Sequence, residues 1–193
     1  MRVLSVICFS MLFFLASCGR SENTVENRLP AKSRVVWIKN DIESVKIGDH
    51  ITIKTLNIAP GELVGYAETL TGIPYKYGST DPAQGFDCSG FITYVFNHFN
   101  IAVPRSSIDF TNVEREIPLR NAKHGDLILF TGTDSTIRAV GHMGIITSLS
   151  GKEISFIHST SGKAYSVTTT PLNPYYQGRF IKALRIFKQN DMK

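Results

Sequence analysis

Cysteine is scarce in this chain of 193 residues. There are three, at positions 8, 18 and 88, too few for a disulfide scaffold. Ligand pairs of the Cys-x-x-Cys or His-x-x-x-His kind are absent, so compact zinc sites built on that spacing are excluded. There is no block of like charge, and the net charge is only +5, which argues against a nucleic-acid-binding protein. Past residue 17 no apolar run approaches the ~20 residues of a membrane-spanning helix. There is no internal repeat and no low-complexity tract, which removes solenoids and arrays.

What is present starts with an address. Met1–Ser17 reads as an export signal, with Arg2 as the positive start, an apolar stretch Val3–Phe14, and small residues at its end. The ending Leu15-Ala16-Ser17-Cys18-Gly19 resembles a bacterial lipobox, in which Cys18 is acylated and becomes the first residue of the mature chain. Acyl chains gain about 0.8 kcal/mol per buried CH₂, and stable anchoring takes more than one. The expected location is the bacterial cell envelope, on a lipid-anchored membrane protein. Removing 17 residues from 193 leaves 176, enough for one domain with a core. Arg2 is the only charge lost, which leaves +4.

Residues 18–34 are polar and read as a lipidated tether, with a mean reach of roughly 20–25 Å. Residues 35–58 hold two β-branched runs, Val35–Ile38 and Ile51–Leu56, around a Gly48-Asp49 turn, and predict a short strand pair packed on the main domain. The main domain is expected over 59–188. Leu63, Tyr66, Ala67 and Leu70 at helical spacing predict a helix over 62–71, ended by Gly72. A Tyr-, Gly- and Pro-containing loop follows over 73–84. Asp87 is a candidate N-cap for a core helix from Cys88 to about Phe99, whose apolar face is Phe91, Ile92, Val95, Phe96 and Phe99. Strands are expected over 127–130, 139–149, 153–159, 164–170 and 180–187. Helices followed by a run of strands argue for an α+β fold, with N-terminal helices packed on an antiparallel β-sheet.

Cys88 is the one thiol left once Cys8 is cleaved away and Cys18 acylated, and a lone thiol in an oxidising compartment suggests use. A helix N-terminus and an imidazolium partner both favour the thiolate, so the expectation is a pKa below the usual ~8.5. His142 lies in Gly141-His142-Met143-Gly144, and strand alternation puts it on one face with Gly144 and Ile146. His158 lies on the next strand, toward the same end of the hairpin expected around residues 150–152. The pair suits a base and an orienting group beside the thiol. One thiolate and two imidazoles would also suit zinc, the competing reading. His50, His98 and His124 sit in polar or loop-like settings and read as structural.

These residues resemble the NlpC-type cell-wall endopeptidases, papain-like bacterial cysteine peptidases, over roughly residues 61–187. The likeness is carried in order by Pro74-Tyr75-Lys76-Tyr77-Gly78, Phe86-Asp87-Cys88-Ser89-Gly90-Phe91, Val103-Pro104-Arg105-Ser106-Ser107, Gly125–Phe130, Gly141–Ile145 and His158–Gly162. Ser79 and Phe110 stand where that family often has glycine and glutamine. The resemblance implies a papain-like fold with Cys88 as nucleophile, His142 as base and His158 as orienting residue. It implies Tyr75, Asp87, Ser89 and Ser107 at the substrate site. It further implies peptidoglycan stem peptides as substrate, cut between γ-D-glutamate and the diamino acid; no cofactor is expected, and the protein is expected to be a monomer. Asp87 would bind a free amine of that peptide as well as cap the helix. The alternatives are a non-catalytic envelope lipoprotein that grips cell-wall peptides, which should have lost one of the three, and a thiol amidase or acyltransferase.

Overall fold

The alternating apolar pattern of the C-terminal half resolves into one twisted antiparallel sheet. A computed structural model describes residues 51–113, 115–150 and 153–192. The expected signal, Cys18, the tether and residues 35–50 lie outside the described residues. The large sheet has the order β3-β8-β4-β5-β6-β7, made from β3 (Arg115–Ile117), β4 (Leu127–Thr131), β5 (Val140–Ser150), β6 (Glu153–Ser159), β7 (Val167–Pro171) and β8 (Phe180–Arg185). A two-stranded ladder, β1 (Thr80–Asp81) with β2 (Gly85–Phe86), shapes the loop before the core helix.

Two helices cover one face. In α1 (Pro60–Thr69), the Glu62 carboxylate accepts the Ala59 N–H at 2.8 Å, and the side that carries Leu63, Val64 and Ala67 is buried. α2 (Cys88–His98) starts at Asp87, whose Oδ1 accepts the Gly90 N–H at 2.5 Å. It ends at Asn100, held at φ +58°, where the Ile101 N–H returns to the Phe96 carbonyl. Phe91, Ile92, Val95 and Phe96 of α2 are fully buried against Leu127, Leu129, Met143, Ile145 and Ile157 of the sheet. Four such side chains contribute roughly 6–12 kcal/mol of transfer free energy, so the start of α2 is rigidly placed. Gly90 is required there, because a Cβ would lie 2.1 Å from the Ser79 carbonyl oxygen.

The opposite face has a smaller core of Ile128, Phe130, Ile146, Phe156 and Ala183, closed by Tyr176 from α3 (Pro174–Arg179). The sheet parity is the one expected, since Ile146 belongs to this second core while Met143 and Ile145 belong to the first. His142 and His158 lie on the second face, against Phe130, Phe156 and Tyr176.

Residues 51–58 differ from the expected strand. Ile51 makes one parallel bridge to Val113, its N–H donating to the Asn112 carbonyl, and no longer ladder follows. The segment still packs on the domain, with Ile53 and Thr55 buried. Its neighbour there is the end of the 3₁₀ helix Ser107–Asn112, which offers no strand edge to pair with. Short elements lie where none was expected, among them that 3₁₀ helix, the three-residue β3, and α3.

Candidate active site

A gap in the sheet creates the site. β5 pairs with β4 through Val140, but its pairing with β6 stops at Ile145–Ile157. The outward backbone groups of Gly141 and Met143 therefore have no β6 partner. The thiol of Cys88, at the first residue of α2, fills that place. Its Sγ lies 3.9 Å from the Gly141 carbonyl oxygen, and the Met143 N–H points to the sulfur. The helix thus reaches round from one face of the sheet to meet histidines standing on the other.

The histidines form a relay. His142 Nε2 is 2.8 Å from His158 Nδ1, and His158 Nε2 is 3.0 Å from Thr170 Oγ1 on β7. Gly144 leaves room for it, because a Cβ there would meet the Phe156 ring at 2.7 Å and the His158 Cβ at 3.2 Å. With Nε2 of His142 occupied, Nδ1 is the nitrogen left for the thiol. The tautomer that keeps Nδ1 basic has His142 Nε2–H donating to His158, and His158 Nε2–H donating to Thr170.

Charge at the site departs from expectation. The Cys88 thiol is pushed up to about 11, first by burial and then by the neighbouring Asp87 carboxylate. The N–H groups of Ser89, Cys88 and Met143 oppose this only in part. The predicted low pKa is therefore not found: the helix N-terminus acts on the sulfur, but burial outweighs it. His142 is held well below the usual imidazole value by burial, His158 and Arg179, and His158 falls to about 3 through burial and Arg179. The resting site is a neutral thiol beside neutral imidazoles.

Asp87 and Ser89 are buried on the far side of Cys88, where they meet Arg105. The guanidinium spans the Asp87 carboxylate at 2.7 and 3.1 Å and donates to Ser89 Oγ at 3.0 Å. Asp87 is thus both helix cap and ion-pair partner. Ser107 opens the 3₁₀ helix and is half-buried. Tyr75 lies against Tyr165, with ring centroids 5.6 Å apart, and its pKa is raised first by burial and then by the nearby Cys88 when that is charged. His98 stacks on Tyr66 at 3.6 Å between centroids and is structural, as expected.

Tyr75, Cys88 and His142 open on one groove of about 980 Å³. Its farther wall is the 160–164 loop, Thr168, Thr170 and α3. Asp87, Ser89 and Ser107 lie outside this groove, so the sequence-predicted residues divide into two neighbouring clusters. Thr170, Arg105 and Arg179 are additions. Their partners lie 12, 18 and up to 48 residues away in sequence; Arg105 stands in one of the motifs above, but nothing local marks its pairing with Asp87. Among the described residues no group of three His, Cys, Asp or Glu side chains could hold a metal ion.

The NlpC/P60 family model matches residues 72–185. The chain is 34% identical over 124 residues to a gamma-DL-glutamyl hydrolase of Bacillus subtilis, covering 64% of this chain and 29% of that protein. It is 24% identical over 177 residues to the murein DD-endopeptidase MepS/murein LD-carboxypeptidase of Escherichia coli, covering 91% of this chain and 88% of that one. Among solved structures it resembles an NlpC/P60 family protein from Bacillus cereus, with a TM-score of 0.60 and 28% identity, over 69% of this chain and 42% of that chain. The chain spans less than a third of the two Bacillus subtilis relatives compared first, the glutamyl hydrolase and a bifunctional muramidase/DL-endopeptidase. The order of motifs, the α+β architecture and these likenesses agree: this chain belongs to the NlpC/P60 family.

Proposed function

We propose that the protein is a cysteine endopeptidase of peptidoglycan stem peptides, cutting between γ-D-glutamate and the following diamino acid. The observation that carries this reading is the single thiol seated in the sheet gap, open to a groove that His142 lines, with His142 backed by His158 and Thr170. The relatives' names, a γ-glutamyl hydrolase and a murein endopeptidase, support the substrate class.

The chemistry starts from the neutral pair. Cys88 gives its proton to His142 Nδ1 as sulfur attacks the amide carbonyl carbon. The positive charge then on His142 is shared with His158, which passes hydrogen-bond polarisation on to Thr170. The oxyanion is met by the Cys88 backbone N–H at the start of α2, with the Tyr75 hydroxyl, still protonated at neutral pH, as a second donor. Losing one such donor typically costs 10²–10³-fold in rate. His142 returns the proton to the leaving amine, which gives a thioester. Water then gives a proton to His142 and attacks, and the proton returns to sulfur as the acid leaves. No cofactor enters these steps.

Acylation of Cys18 would hold the enzyme on a membrane of the bacterial envelope, as a monomer facing its polymer. A Cys18→Ala variant that stays in the membrane fraction with an unchanged mass shift would remove that part. For the reaction itself, purified muropeptides incubated with the protein and weighed should yield the L-alanyl-γ-D-glutamate fragment and a peptide that begins with the diamino acid. Products cut at any other bond would overturn the proposed specificity.

A further inference from the structure

The groove beside His142 is charged with one sign. Arg179 and Lys163 line it, and no aspartate or glutamate does among the described residues. Arg179 is buried and has no carboxylate partner there. Its Nε donates to the Gly132 carbonyl at 3.0 Å and one terminal nitrogen to the Thr131 carbonyl at 2.9 Å, while the other reaches the Tyr175 hydroxyl at 2.8 Å. A guanidinium has five N–H donors, so one on each terminal nitrogen remains unused. Burying a cation without a counter-ion is costly. Lys163, on the exposed loop between β6 and β7, has no hydrogen bond or ion pair to any described residue. Thr168 and Thr170 add neutral hydroxyls to the same wall.

The reaction direction says what sits there. His142 must protonate the leaving amine, so the leaving residue lies on the imidazole side of Cys88, and that side is this groove. We propose that Arg179 and Lys163 form a carboxylate subsite for the leaving residue, selecting a diamino acid that bears a carboxylate at the end of its side chain, as diaminopimelate does, over one that ends in an amine alone, as lysine does. This rests on the hydrolase reading and adds the choice of diamino acid to it. The carboxylate supplies the counter-ion that the fold withholds from Arg179, while Lys163 attracts it from the mouth. Peptides without that charge would leave the buried guanidinium unanswered.

The test uses the full chain in detergent and two stem tetrapeptides that differ in one group, the side-chain carboxylate of diaminopimelate or its carboxamide. The acid should have a kcat/KM at least fivefold above the amide. The exposed Lys163 is replaced by Gln, which does not disturb the core. Lys163→Gln should lose roughly three- to fivefold on the acid and less than twofold on the amide, and added salt should narrow the wild-type preference. Lys163→Glu should lose more on the acid. Equal kcat/KM on the two peptides in the wild type, or equal losses on both in Lys163→Gln, overturns the subsite. Failure to cut either peptide would instead contradict the hydrolase reading. Calorimetric binding to Cys88→Ala then decides the subsite by itself: tighter binding of the acid supports it, and equal binding refutes it.

Discussion

The two ends of the β4–β8 strand pair each bury an arginine, and they treat it in opposite ways. At one end Arg185 meets Asp126, which is fully buried, at 3.1 Å, and Asp191 at 2.8 Å. Its remaining terminal nitrogen donates to the Asn121 carbonyl, and Lys123 and Asn190 complete the Asp126 carboxylate. Every charge there has its answer inside the fold. At the other end Arg179 meets carbonyls, a tyrosine hydroxyl and the rings of Tyr175 and Tyr176 but no carboxylate, beside two imidazoles that its field helps to keep neutral. A closed charge network holds structure together. An open one leaves field and hydrogen-bonding capacity for a substrate.

The sharpest separation of the two ends is expected from the proposed catalytic side chains. Cys88→Ala should abolish turnover, and His142→Ala should cost about 10²–10⁴-fold, while both variants keep the melting temperature of the parent within a few degrees. Because the two act as a unit, the double variant should be little slower than Cys88→Ala alone. An unfolded Cys88→Ala would show that the thiol is a packing residue.

At the closed end the outcome should invert. Asp126→Ala leaves Arg185 buried without its main partner and should cost about 3–5 kcal/mol, or on the order of 10 °C in melting temperature for a chain this size. Turnover per folded molecule should stay within twofold. A large fall in kcat at unchanged stability would erase the distinction between the ends.

A smaller effect separates the two histidines. In the proposed mechanism His158 acts through His142, so His158→Gln, which keeps a hydrogen bond, should lose less activity than His142→Gln. The reverse order would exchange their roles. Thr170→Val should be milder still, under tenfold, and should appear in kcat rather than KM.

Stability should also vary with pH in a way that carries the site's signature. His158 titrates at about 3 when folded and near 6.5 when unfolded. Below pH 6.5 the unfolded chain therefore binds protons that the folded chain does not, and stability falls as pH drops from about 6.5 toward 3. Cys88 has the opposite sign, about 11 folded against about 8.5 unfolded, so stability falls again as pH rises from about 8.5 to 11. Denaturant melts across pH should show the alkaline fall reduced in Cys88→Ala and the acid fall reduced in His158→Gln.

How much of this was legible in the sequence follows from range. α2 was readable because its cap, Asp87, and its apolar face are local, and strand parity put His142 on the face of Gly144 and Ile146, with His158 toward the same end of the hairpin. α3 was missed although its signal was present: Asn173 caps it, with the side-chain oxygen accepting from Tyr176, and Pro174 occupies its first turn. Six residues are too few for a period to show. Ile51–Leu56 alternates like a strand but finds one bridge, because pairing depends on a partner edge that sequence does not reveal. The thiol's ionisation was misjudged for a related reason. The helix terminus is local and visible, whereas the burial that outweighs it comes from distant chain.

If Cys88 carries the acyl group, the thioester can be trapped within one turnover. The full chain is mixed with a γ-D-glutamyl-diaminopimelate tetrapeptide, quenched in acid within the first turnover, digested and weighed. A thioester-linked L-alanyl-γ-D-glutamyl adduct is expected on the peptide that contains Cys88, absent in Cys88→Ala and formed about 10²–10⁴-fold more slowly in His142→Ala. An adduct on another residue, or full turnover by Cys88→Ala with no adduct at all, would contradict it.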